Sequence, residues 1–242
     1  MIKKIMLLLL LCGCAGVRDV DMSPFQYREI SAGNYKIAAW ERIIDKQTPV
    51  HIYIEGDGRA FSASGRPTSD PTPRGKIVRE MALRDTNANV VYLARPCQFV
   101  MSEKCSVTDW TSGRFSTEII ESMTGAIKDI AKNMPIVLIG YSGGAMVSGL
   151  VITNHPELNI IRWVTVAGVL NHADWTNYFG DMPLDKSLDM YALPKVPHVH
   201  YVGDKDTVVP MELSKKWVSN GNLIVVSGAQ HDNFGAWMYN ND

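Results

Sequence analysis

The run Pro135-Ile136-Val137-Leu138-Ile139 passes straight into Gly140-Tyr141-Ser142-Gly143-Gly144, and Ala145 to Val151 continues as a helix-compatible stretch. A short apolar, β-branched run bounded by glycine reads as a buried strand. Where such a strand turns sharply into a helix, glycines flank the turn, because a Cβ there would meet the strand or the helix. Ser142 is expected at the tip of that turn, where the sharp change of direction would expose its hydroxyl. Buried strand, sharp turn and helix in immediate succession point to a layered α/β architecture. With glycine at about 7% of residues, Gly-x-Ser-x-Gly arises by chance in roughly one chain of this length in ten, so a second signature is required.

An activated serine needs a base to take its proton and an acid to orient that base. Both follow in order. Pro197 to Gly203 reads as a strand and runs into Asp204-Lys205-Asp206-Thr207-Val208-Val209-Pro210. Asn222 to Val226 reads as another, ending in Ser227-Gly228-Ala229-Gln230-His231-Asp232. The order Ser142, Asp206, His231 supplies nucleophile, acid and base, with Asp204 as the rival acid.

Gly140 to Gly144 resembles the nucleophile elbow of the α/β-hydrolases, and Gly203 to Pro210 is similar to their acid loop, where Asp206 holds the acid position. The resemblance covers most of the chain after residue 50. More narrowly, Tyr53 to Gly58, Arg95-Pro96-Cys97-Gln98, Cys105 and Trp110-Thr111 resemble a group of uncharacterised bacterial α/β-hydrolases. The resemblance implies a mostly parallel sheet with helices on both faces and a Ser-Asp-His triad. It leaves the substrate open.

Acyl transfer builds charge on a carbonyl oxygen, and two backbone N–H groups must meet it. Gly143, after the serine, is one expected donor. The loop Glu55-Gly56-Asp57-Gly58, after the strand His51 to Ile54, offers the second at Asp57 N–H. Many family members have His-Gly here, and this chain has Glu55-Gly56, which alters the surrounding hydrogen bonds. The Asp57 side chain is expected to turn away from the developing charge. The plain alternative is a glycine turn after a strand.

The other histidines fit the base role less well. His51, His198 and His200 fall in predicted strands, His155 at a helix end, and His172 after a strand, where it could line the site. No metal-ligand spacing is present, and no cofactor is implied.

The N-terminus reads as an export signal. Met1 to Lys4 is basic, and Ile5 to Leu11 is an apolar core of roughly 10 Å as a helix, far short of a bilayer. Leu11-Cys12-Gly13-Cys14 resembles a bacterial lipobox, which implies cleavage before Cys14 and lipid attachment to its sulfur. An ordinary signal peptide is the alternative. Expected boundaries are 1–13 for the signal, 14–24 for a tether and 25–242 for the domain. Ala15 after the cysteine leans towards the outer membrane or cell envelope. Cys97 and Cys105 remain, and an oxidising compartment favours their pairing over two free thiols.

Loss of Lys3 and Lys4 takes the formal charge from −1 to −3, with no basic stripe, which argues against nucleic acid as a partner. About 229 residues suffice for one α/β core. Phe25 to Ile30 and Tyr35 to Ile43 are expected as a hairpin, followed by strands at His51–Ile54, Val90–Ala94, Pro135–Ile139 and Ile160–Ala167. Helices are expected at 76–84 and 118–132, the latter with Ile119, Ile120, Met123, Ile127 and Ile130 on one face. Three loops should surround the site. Asp57 to Gly75 carries Arg59, Arg66 and Arg74, either solvated or gripping an anion. Asn171 to Val196 is rich in aromatics and methionine, either walling an acyl pocket or packing on the sheet. Arg95 to Phe115 is a third wall.

These features predict a serine hydrolase, an esterase or acyl hydrolase on a small-molecule or lipid-like ester, anchored to the membrane by lipid. A serine peptidase of the same fold and a non-catalytic binding lipoprotein are the competing readings. The sequence shows no oligomer surface.

Overall fold

The computed structural model describes residues 20–234. The signal segment, Cys14 and the first part of the tether lie outside the described residues. Met22 already packs into the fold, 2% exposed. Among the described residues no helix is long and apolar enough to cross a membrane.

Eight strands form one sheet. They are β1 (Gln26–Ala32), β2 (Tyr35–Ile43), β3 (Val50–Ile54), β4 (Asn89–Leu93), β5 (Ile136–Tyr141), β6 (Ile160–Val166), β7 (His198–Gly203) and β8 (Leu223–Val226). Their order is β1-β2-β4-β3-β5-β6-β7-β8. The β1–β2 hairpin is antiparallel and β2 joins β4 antiparallel. From β4 to β8 every pairing is parallel. Every residue of β3, β4 and β5 is buried, as expected for parallel strands covered on both faces.

Period-2 alternation divides the apolar residues between two cores. Val50, Ile52 and Ile54 of β3, with Ile136 and Leu138 of β5, join α2 (Thr117–Ala131) and α3 (Gly143–Asn154) in one core. Tyr53, Val137, Ile139 and Tyr141 join α1 (Ile77–Arg84) in the other. Helices thus cover both faces. The apolar stripe of α2 is buried as its spacing requires, and Ser116 caps its N-terminus by accepting the Ile119 N–H at 3.4 Å. The two remaining helices, α4 (His172–Phe179) and α5 (Met211–Lys215), lie in the connections before and after β7.

The strand histidines are structural. His51 bonds Asp85 at 2.7 Å, and the Tyr53 hydroxyl donates to the same carboxylate at 2.7 Å. His200 joins Thr165 at 2.8 Å and His198 at 2.9 Å, tying β6 to β7. Burial, and then the neighbouring His198, push its pKa down to about 3, so it packs uncharged.

Candidate active site

Ser142 joins β5 to α3 with φ 51°, in the left-handed region that a residue with a Cβ rarely adopts. The glycines beside it leave no room for a side chain. A Cβ on Gly140 would lie 2.6 Å from the Ala145 Cα, and one on Gly144 would lie 2.6 Å from the Glu55 carbonyl oxygen. The Ser142 carbonyl accepts the N–H groups of Ala145 and Val169 at 3.0 and 3.1 Å, which pins the turn to the loop after β6.

The chain-order prediction becomes a continuous set of contacts. His231 Nε2 lies 3.0 Å from Ser142 Oγ, and its Nδ1 lies 2.9 Å from Asp206 Oδ2. Asp206 is 6% exposed. Its other oxygen accepts the Val208 and Val209 N–H groups, both at 2.8 Å, so the carboxylate is held on both sides. Asp204 does a different job. It accepts the Gly228 N–H at 2.7 Å and the Ser227 hydroxyl at 3.3 Å, closing the turn that delivers His231.

Tyr141 was not singled out by sequence reasoning. Its hydroxyl donates to the His231 carbonyl oxygen at 2.9 Å, and the two rings lie 5.2 Å apart. The residue before the serine therefore positions the loop that carries the histidine. An aromatic at that place in the motif was the one available signal.

The loop after β3 touches the serine: a Cβ on Gly56 would lie 3.2 Å from Ser142 Cβ. Among the described residues neither the Asp57 nor the Gly143 N–H has a protein acceptor. The Asp57 carboxylate does not swing into solvent. It lies against the Gly143 Cα and forms ion pairs with both Arg95 and Arg114. Burial raises its pKa and the two guanidiniums outweigh that, so the group stays ionised. Its charge is neutralised by the two guanidiniums.

The segment after β4 braces this loop rather than merely walling the site. Arg95 pairs with Asp57, donates to the Arg114 carbonyl at 2.6 Å and lies over the Phe115 ring at 5.2 Å. Gln98 Nε2 donates to the Gly56 carbonyl at 2.8 Å, while its oxygen accepts the Arg95 N–H at 3.0 Å. Trp110 Nε1 donates to the Thr68 carbonyl at 3.1 Å. Cys97 and Cys105 form a disulfide within the segment. In the chain-entropy picture a loop of this size contributes about 2–3 kcal/mol.

Ser142 and His231 open into a cavity of about 440 Å³. Phe61, Phe115, Leu184, Val169, Trp175 and Val208 give it an apolar wall, and Glu55, Arg74, Lys76, Tyr141 and Asp232 a polar one. The aromatic segment after β6 divides its roles: Trp175 and Leu184 line the cavity, Leu188 and Met190 pack in the core, and Met182 and Tyr191 are exposed. Of the loop arginines, Arg74 reaches the cavity and Arg59 and Arg66 do not. His172 lines it as well, stacked on Phe115 at 5.9 Å. Burial lowers its pKa, and Asp189 opposes that only partly. Among the described residues no group of three or more His, Cys, Asp or Glu side chains could hold a metal ion.

Glu55, where the usual histidine would stand, is 5% exposed. Burial pushes its pKa up to about 7, against the smaller pull of Tyr92, the Gly56 N–H, Arg79 and Arg95. The sign of the linkage follows. Below the ordinary value of 4.5 the carboxyl is neutral folded or unfolded, and above about 7 the fold must carry a buried charge. Stability therefore falls between those values by an amount on the order of 2–3 kcal/mol. Glu55→Gln is expected to melt several degrees above wild type at about pH 8 and to show no gain at about pH 4.5. Equal melting differences at both pH values, by calorimetry, would remove this account.

The model of the serine hydrolase (FSH1) family matches residues 35–226, from β2 to the end of β8. The chain belongs to that family. As an FSH1-family serine hydrolase it has the α/β-hydrolase fold, and solved structures agree. A Xanthomonas campestris α/β serine hydrolase without a lid, XC6422, is 13% identical with a TM-score of 0.55, covering 86% of each chain. Est1E from Butyrivibrio proteoclasticus is 14% identical with a TM-score of 0.54, over 85% of this chain and 90% of that one. The Pyrococcus furiosus esterase Pf2001 is 20% identical with a TM-score of 0.53, over 87% and 86%. No curated protein matches. At these identities the solved structures speak to the fold of this FSH1-family member and leave its chemistry to the site.

Proposed function

We propose that this serine hydrolase is an esterase or closely related acyl hydrolase working through an acyl-enzyme. The observation that carries the reading is the unbroken contact from Ser142 Oγ through His231 to Asp206 at the wall of the cavity. Ser142 attacks the scissile carbonyl as His231 Nε2 takes its proton. Asp206 fixes the ring so that Nε2 faces the serine and offsets the imidazolium charge that forms. The free N–H groups of Asp57 and Gly143 receive the oxyanion. His231 then returns the proton to the departing alcohol, and water, activated by the same histidine, releases the acid. The apolar wall suits an acyl chain, which favours esters over peptides.

A fluorophosphonate probe tests this reading. It should label the wild-type protein on Ser142 and leave Ser142→Ala unlabelled. A folded wild type that resists labelling would end the proposal and leave a binding protein built on the same fold. Parallel assays with a short ester and a peptide amide should show turnover of the ester alone.

A further inference from the structure

Glu55 is more than 90% buried, yet it lines the cavity that Ser142 and His231 share. Its carboxyl accepts the Gly56 N–H at 3.3 Å, which uses only part of its acceptor capacity. The buried Tyr92 hydroxyl lies beside it and draws on the same carboxyl. A leucine would be far easier to bury here, because an under-satisfied carboxyl is costly inside a protein. The acceptor capacity left over faces the cavity.

The surroundings place this acceptor in a polar half of the site. Phe115 and Leu184 of the apolar wall belong to the core on one face of the sheet, whereas Tyr141 belongs to the other and Ile77 packs against it. On that second side Lys76 and Asp232 line both the main cavity and an adjoining cleft of about 130 Å³ that carries Glu80, Arg84 and Asn233. A substrate seated at Ser142 therefore meets an apolar surface on one flank and a hydrogen-bonding surface on the other.

Building on the acyl-hydrolase reading, we infer that Glu55 is a specificity residue that accepts a hydrogen bond from a substrate hydroxyl, so that the preferred substrates are acyl esters of polyols. The acyl chain lies along Phe115 and Leu184. The polyol runs past Glu55 and Tyr141 towards Lys76 and Asp232. A site built to pair a hydroxyl discriminates strongly against an alcohol that lacks it, because its own polar group is then left unpaired.

The test compares glyceryl 1-monobutyrate with n-propyl butyrate, which share the acyl group and a three-carbon alcohol skeleton and differ in alcohol hydroxyls. Released acid is followed at constant pH. Wild type should favour the glyceryl ester in kcat/KM by about tenfold or more. Glu55→Leu should reduce that ratio to about twofold or less, with Glu55→Val as a second apolar variant should the leucine fail to fold. Glu55→Gln keeps a carbonyl acceptor and should hold most of the preference, which a purely structural role would not produce. Equal wild-type rates, or a preference that survives in the apolar variants, would overturn the inference. Labelling of Ser142 by fluorophosphonate separates the two failures. A labelled protein without the glyceryl preference, or inert to the glyceryl ester, sinks the polyol reading alone. A folded protein that neither labels nor turns over either ester sinks the hydrolase reading as well.

Discussion

Ester turnover by Ser142→Ala is expected to fall by roughly 10⁴–10⁶-fold in kcat/KM, with the fold intact. The size follows from the way the three side chains are linked. His231 meets Ser142 at 3.0 Å and Asp206 at 2.9 Å, so removing the hydroxyl leaves base and acid with nothing to activate. The proposed oxyanion donors and the cavity remain, and they would supply the residual rate. Stability should barely change, because alanine keeps the Cβ and the same backbone strain at φ 51°. Glycine tolerates that conformation, so Ser142→Gly should be equally inactive and more stable by about 1 kcal/mol. Initial rates on a short ester, together with thermal melts, check both statements. A Ser142→Ala protein within tenfold of wild type would mean that another group does the chemistry.

Asp57→Ala is expected to destabilise the protein by about 3–5 kcal/mol, the usual consequence of removing one member of a buried charge cluster. The side chains of Arg95 and Arg114 are only 5% and 7% exposed and share this one carboxylate, which is itself 26% exposed. Without it, two guanidiniums confront each other away from water. At about 2–4 °C per kcal/mol for a chain of this size, the melting temperature should drop by roughly 10 °C. Turnover should fall less than for Ser142→Ala, since the residue contributes its backbone N–H to the proposed oxyanion site and alanine retains one. Arg114→Met added to Asp57→Ala should recover part of the loss by removing one uncompensated charge. A melting temperature within about 2 °C of wild type for Asp57→Ala would show that solvent screens the cluster.

The parts of the molecule written locally were legible in advance. Strands β3 to β6 announce themselves as apolar runs, and α2 by the spacing of Ile119, Ile120, Met123, Ile127 and Ile130. Ser142, Asp206 and His231 could be named because each follows a strand that can be recognised on its own. Order within the sheet could not be read, since nothing local tells β4 to insert between β2 and β3. The brace on the Asp57 loop was hidden for the same reason. Arg95 and Arg114 are 38 and 57 residues from Asp57, and only the folded sheet brings their charges together. Asp204 and Asp206 looked nearly equivalent in sequence. The Gly228 N–H claims one, and the Val208 and Val209 N–H groups with His231 claim the other.

The disulfide between Cys97 and Cys105 divides the serine site into a part that depends on a covalent link and a part that does not. The Ser142–His231–Asp206 contacts depend on β5, β7 and β8 and on no cysteine. The loop bearing Asp57 leans on the segment that holds Arg95, Gln98 and Trp110, and that segment is covalently closed. Cleaving that bond would therefore leave every contact among Ser142, His231 and Asp206 in place and remove only the covalent closure behind the Asp57 loop.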